Sequence, residues 1–257
     1  MLKVCLVLMV LLTALTVSAN PKLSLNSANT IVFRGEVNAT SVSDAMDKIA
    51  ELNKKRGSAT YPLYLVLDTP GGSIDAGFAF LQYAKTIKNL HTVTLFAASM
   101  GSAFVQALPG NRYITDDATL MFHRARGGVQ GQIGEGELES QLAYFKRMVT
   151  FLEQTNADRM KMPLLDYRKA VKDELWIFGS DNISANSADA VVNIICSQEL
   201  IDLKENKEFT FLVFTIKLQF SGCPLFRIPK MANDKETKDA FIKNYVELKR
   251  KFSPGIL

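Results

Sequence analysis

Apolar residues follow two alternating rhythms along the chain. Thr30–Val37 (TIVFRGEV), Tyr64–Asp68 (YLVLD) and His91–Phe96 (HTVTLF) are short apolar or β-branched runs. Such runs form strands, and the continuous ones suit a parallel sheet buried on both faces. Between them apolar positions return at helical spacing. Ala45, Ile49 and Leu52 recur in a segment that Ser41 is placed to cap and Arg56-Gly57 to end, and Ala76 to Ile87 forms the next. This order predicts an α/β fold of repeated β-α-β units, with a mostly parallel sheet and right-handed crossovers. Two more short strands, Asn111–Ile114 and Ala118–Phe122, are expected on either side of an Asp116-Asp117 turn.

Farther on, Leu138, Leu142, Phe145, Met148, Val149 and Leu152 mark the apolar stripe of a helix from Glu135 to Met160. At about 26 residues it spans roughly 39 Å, more than a compact domain needs. It is therefore expected to project and pack against another subunit. A short helix over Leu164–Val171, the segment Asp173–Phe178, and a helix-to-strand passage over Ser187–Ile195 complete the core. Past Cys196 the character changes. Phe209–Phe220 is aromatic and β-branched, and Asp234–Lys251 reads as a charged amphipathic helix with Phe241, Tyr245 and Leu248 on one face. Residues 199–257 are thus read as a strand-plus-helix appendage to a core domain over 20–198.

The first residues add an address. Met1-Leu2-Lys3 is a positive start, Val4 to Val17 is almost wholly apolar, and Val17-Ser18-Ala19 is small where a signal peptidase would cut. Residues 1–19 are expected to be a signal peptide and the product exported, periplasmic or secreted. The apolar run is shorter than the ~20 residues of a spanning helix; an uncleaved membrane anchor is the alternative. Cleavage removes Cys5 and leaves Cys196 and Cys223, free to form a disulfide or to stay as two buried thiols. The net charge of +4 comes without a Lys/Arg run, which speaks against a nucleic-acid partner.

The chemistry gathers at strand ends. Phe96-Ala97-Ala98-Ser99-Met100-Gly101 puts a serine among small residues at a strand-to-helix turn, where a nucleophilic hydroxyl can stand exposed. Alone, this could be a packing contact between helix and sheet. Pro70-Gly71-Gly72 follows the preceding strand, and His123 ends a later one. The carboxyl edge of a parallel sheet is where ligands bind, so the three can converge there. A serine needs a base to take its proton, a role that suits histidine. An oxyanion needs backbone donors, which glycine lets approach closely. A carboxylate usually fixes the histidine tautomer. No metal or other cofactor is called for.

At this point the sequence resembles the Clp protease proteolytic subunit family, within the wider crotonase-like superfamily. The resemblance runs from about Thr30 to Asn193. It rests on Asp68-Thr69-Pro70-Gly71-Gly72-Ser73, Ala97-Ala98-Ser99-Met100-Gly101, Leu120-Met121-Phe122-His123 and Gly127-Gly128-Val129-Gln130-Gly131-Gln132, in matching order and spacing. It implies a serine endopeptidase with Ser99 as nucleophile, His123 as base and the amides of Gly72 and Met100 as oxyanion hole. Gly71, Gly127, Gly128, Val129 and Gln130 would line up a peptide or unfolded protein as an added strand. The long helix would be the handle that joins heptameric rings of identical subunits into a chamber.

Two features depart from the family pattern. Its aspartate position holds Glu174, with Asp173 adjacent, so either acid is a candidate third member. An exported copy would also meet no ATP-driven unfoldase, which implies action on peptides or already unfolded chains. The rival readings are a signal-peptide-peptidase-like enzyme with a Ser–Lys pair, an acyl-CoA-processing crotonase, and a catalytically silent ring subunit.

Overall fold

The computed structural model describes residues 20–127, 134–211, 214–228 and 230–231. Its elements begin β1 (Lys22–Leu25), β2 (Thr30–Arg34), α1 (Ala39–Arg56), β3 (Leu63–Thr69), α2 (Ile74–Ala84), β4 (Leu90–Ala98) and α3 (Met100–Ala107). They continue with β5 (Arg112–Phe122), α4 (Glu135–Arg159), α5 (Leu164–Ala170), β6 (Leu175–Phe178), α6 (Asp181–Ser184), β7 (Ala190–Val191) and β8 (Asn193–Cys196). The described chain closes with α7 (Gln198–Asp202), β9 (Lys204–Phe211), β10 (Phe214–Ser221) and β11 (Lys230–Met231).

The main sheet runs β2-β3-β4-β5-β6, with β7 also paired to β5. β2, β3, β4 and β5 are parallel, and β6 lies antiparallel to β5. The α/β, mostly parallel architecture read from the sequence is thus the one observed. Its apolar strands are buried on both sides for the expected reason. Leu65 and Leu67 of β3 face one cluster with Phe33, Phe80 and Phe104, while Val66 faces another with Leu23, Leu25, Val93 and Leu95. The three phenylalanines tie β2, α2 and α3 together with ring centroids 4.7–5.9 Å apart, an aromatic packing that adds to their burial.

Several local expectations are corrected. The cap of α1 is Asn38, whose side chain accepts from the Ser41 amide while the Ser41 hydroxyl accepts from the Asn38 amide. Ser41 is therefore the reciprocal partner in a capping box. The two short strands around Asp116-Asp117 are one strand, β5, with a bulge. Its ladder to β4 steps from Ile114 opposite Thr94 to Thr119 opposite Phe96, leaving both aspartates exposed. The halves of β5 also have separate neighbours, β7 beside Tyr113-Ile114 and β6 beside Thr119–Phe122. The polar lead-in before Asn29 contains β1, whose Leu23 and Leu25 alternate inward and which pairs in parallel with β8.

Past α7 the described chain forms a hairpin of β9 and β10, with β11 paired to the other edge of β10; the expected helix over 234–251 lies outside the described residues, as does the leader over 1–19. The open cysteine question has an answer here, because Cys196 and Cys223 are bonded. Arg227 adds a clamp, donating to the Asp68 carboxylate at 2.6 Å, while Arg34 reaches the Pro224 carbonyl at 3.1 Å. Among the described residues no helix is long and apolar enough to cross a membrane.

Candidate active site

The end of β4 makes the turn on which Ser99 sits. Ser99 has φ 56° and ψ −119°, a conformation that costs a non-glycine residue energy and persists only where neighbours fix it. The Ser99 amide donates to the Met121 carbonyl at 2.9 Å. The buried Ser102 hydroxyl lies 2.7 Å from the Ala97 carbonyl and 2.8 Å from that of Met121. The strand ends of β4 and β5 are thereby stitched together, and His123 stands two residues beyond the shared carbonyl. Its Nε2 lies 2.7 Å from the Ser99 hydroxyl oxygen.

The glycine turn comes to the same place. Gly71 and Gly72 both have positive φ, 89° and 148°. A side chain on Gly71 would meet the Ala98 carbonyl oxygen at 2.5 Å and the Ser99 Cβ at 2.6 Å. Only a bare backbone passes that close to the serine. Gly72 is bridged to Val37 through its neighbours: the Val37 amide donates to the Gly71 carbonyl and the Ser73 amide to the Val37 carbonyl, both at 2.8 Å. In a parallel bridge this leaves the Gly72 amide turned to the opposite side. Met100, first residue of α3, has an amide with no intrahelical acceptor. Gly72, Ser99, Met100 and His123 line one cavity of about 230 Å³.

Burial is the main influence on His123. It pushes the imidazole below its ordinary range; the Arg126 charge lowers it further and the Glu174 charge acts the other way. His123 is thus held neutral at physiological pH, the form that can accept a proton. The acid side is different. Glu174 accepts from the Trp176 indole N–H at 3.0 Å and lies 3.8 Å from the Arg126 guanidinium. The His123 Nδ1 is buried and has no hydrogen-bond partner among the described residues. The exposed Asp173 makes no contact with the imidazole either. The Ser–His pair is therefore brought together, and neither candidate acid completes it in this arrangement.

Of the expected substrate-aligning residues, Gly71 lies at the site. Gly127 packs so near the Phe145 ring that a side chain there would meet it at 2.8 Å. Gly128, Val129 and Gln130 lie outside the described residues. Residues the sequence reading passed over also line the cavity: Arg126, Glu153, Asn156 and Tyr167. Asn156 carried a usable signal. It stands four positions past Leu152, where the apolar stripe of α4 would continue. Among the described residues no cluster of His, Cys, Asp or Glu is arranged to hold a metal ion.

A strained serine at a strand-to-helix elbow, in contact with a neutral histidine and beside free backbone amides, is the equipment of an acyl-transfer hydrolase. The comparisons with known proteins narrow that class. The sequence signature of the family described as Clp protease matches residues 17–194, so this chain belongs to the Clp protease family. It is 31% identical over 162 residues to the ATP-dependent Clp protease proteolytic subunit 1 of Chlamydia pneumoniae, covering 60% of this chain and 81% of that one. The subunit of the same name from Frankia casuarinae is 35% identical over 127 residues, 48% of this chain and 59% of its own. The proteolytic subunit from Streptococcus salivarius is 26% identical over 136 residues, 52% and 69% of the two chains.

Proposed function

We propose that this protein is a serine endopeptidase that hydrolyses peptides or unfolded proteins. The observation that carries the reading is the 2.7 Å contact between Ser99 and His123 at the strained end of β4. The Ser99 oxygen attacks the scissile carbonyl carbon as His123 Nε2 takes the hydroxyl proton. The amides of Gly72 and Met100 receive the negative oxygen, each worth about 2.7–4 kcal/mol by the measure of known oxyanion holes. His123 returns its proton to the leaving amine, the acyl-enzyme forms, and water repeats the steps to release Ser99.

Glu174 is the favoured third member, because its charge acts on His123, whereas the exposed Asp173 makes no contact with the imidazole. Moving its carboxylate from the Trp176 indole to His123 Nδ1 would complete the triad. Assembly supports the same reading. The outer half of α4 exposes Leu138, Leu142 and Tyr144, each 45–59% open to solvent in the single chain, a surface suited to another copy in a ring. The Cys196–Cys223 disulfide supports export through the leader over residues 1–19, since such bonds persist in oxidising compartments. There the enzyme works without an ATP-driven unfoldase. Sequencing the mature N-terminus tests that address: a start at Asn20 supports it, and retention of Met1 in a soluble product contradicts it.

The activity test is cleavage of an unfolded protein by the wild type and by Ser99→Ala. Turnover lost in the variant supports the peptidase. The unpartnered His123 Nδ1 favours one other reading, a silent ring subunit, for which neither protein would cleave.

A further inference from the structure

We propose that an extended, basic peptide segment binds as an added strand in the groove between β2 and β9, joining the two sheets. This groove shares no lining residue with the Ser99 cavity, so the proposal goes beyond the peptidase reading and stands without it. β2 is the last strand of the main sheet, and β9 is the last of the β11-β10-β9 sheet. Both line one cavity of about 340 Å³, the whole of β2 on one side and Glu205 and Asn206 of β9 on the other. Pairing decides which backbone groups face it. The Tyr64 amide donates to the Asn29 carbonyl, and the Gly35 amide to the Asp68 carbonyl. Ile31 and Phe33 therefore bond to β3, and the amides and carbonyls of Thr30, Val32 and Arg34 turn outward. None of these outward groups has a hydrogen-bond partner among the described residues.

An unpaired edge is a template for another strand, and proteins usually blunt it with proline, lysine or a bulge. β2 (TIVFR) carries none of these. Its five residues offer roughly 17 Å of edge to an extended chain. The rest of the lining selects charge. Lys48 of α1 is paired with Glu51 at 3.0 Å, and Arg34 is engaged by Asp68 and the Pro224 carbonyl. Asp44 and Glu205 have no hydrogen bond or ion pair among the described residues. The lining thus holds two carboxylates without a counter-charge. Backbone pairing would supply affinity, and a strand carrying Lys or Arg at alternate positions would match the charge.

The test uses the full chain carrying Ser99→Ala, so that peptides stay intact, and follows a labelled peptide of alternating Lys and Val by fluorescence anisotropy. That peptide should bind, and one of alternating Glu and Val should bind several-fold more weakly. Asp44→Lys should weaken the Lys-Val peptide several-fold, as should added salt. Val32→Pro removes an outward amide that takes no part in the β2–β3 ladder, so it should abolish binding with little change in unfolding temperature. Methylating the peptide's own amides leaves the protein untouched, which covers a variant that fails to fold. An inserted strand bonds on both sides, so methyl groups on either alternate set of amides should weaken binding. Sensitivity of one set alone overturns the joining of the two sheets. Binding that ignores both Asp44→Lys and methylation, or that needs deletion of residues 232–257, overturns the site. So does a peptide that never binds while Val32→Pro changes the oligomeric state, which would give the groove to a second copy. Fluorophosphonate labelling of Ser99 in the wild type reports on the nucleophile separately.

Discussion

The two sides of the imidazole of His123 are built differently. Its Nε2 side is made by the ends of β4 and β5, where Ala97, Ala98, Leu120 and Phe122 are buried and the Ser99 amide is tied to the Met121 carbonyl. The candidate acid for the other nitrogen lies at the entry to β6, where Glu174 has a positive φ of 83° and Trp176 and Phe178 are more than half exposed. Close packing inside the sheet over-determines the first side. The second lies at the sheet's edge and depends on what covers it. The Ser99–His123 contact is thus fixed by close packing, whereas Glu174 sits at the open edge of the sheet.

That contrast can be broken at its strong side first. Ser99→Ala should lower peptide cleavage by at least about 10³-fold, with thermal stability almost unchanged, because it removes the attacking atom and little packing. A variant that kept its activity would move the chemistry elsewhere. Gly71→Ala should come next in size. Its new Cβ meets the Ala98 carbonyl at 2.5 Å from a backbone with φ 89°, so both unfolding temperature and activity should fall. The cost should exceed about 1 kcal/mol.

Glu174→Gln tests the weak side. If Glu174 serves in the assembled enzyme, kcat should fall by a smaller factor than in Ser99→Ala, with the protein still labelled at Ser99. The pH profile supplies the sign. Activity needs neutral His123, so it should rise with pH through a value below the ordinary histidine range, since burial holds the imidazole down. Glu174 raises that value, so Glu174→Gln should shift the rising limb to lower pH. Arg126 lowers it, and Arg126→Ala should shift the limb upward, by a small amount because the guanidinium is exposed.

The disulfide that ties the end of β8 to the turn after β10 gives a further test. Reduction, or Cys223→Ser, should cost about 3.5 kcal/mol of stability by the chain-entropy argument for its loop. Because the bonded pair lies on the far cluster with Val66 and Leu95, labelling of Ser99 should survive. Loss of labelling along with the disulfide would mean that the clamp of Arg227 on Asp68, just before the glycine turn, also sets the site.

What was legible in the sequence follows the same division. The apolar runs announced β3 and β4 because both faces are buried, and the small residues around Ser99 announced the elbow because space is short there: a Cβ on Gly101 would meet Thr69 at 2.6 Å. The bulge in β5 was hidden by its two aspartates, which look like a turn until the Thr115 hydroxyl is seen donating to Asp117 and the ladder closing on both sides. β1 was hidden by its brevity. Asn156 and Tyr167 were hidden for another reason: each sits on a helix that reads as ordinary packing, and only the fold places them beside Ser99.

Treatment of the purified protein with a serine-reactive fluorophosphonate, followed by location of the adduct, tests the central claim most directly. The paired geometry predicts a single adduct on Ser99 that is lost in His123→Ala while the fold is kept. An unlabelled Ser99 across a range of pH, or labelling that persists undiminished without His123, would contradict it.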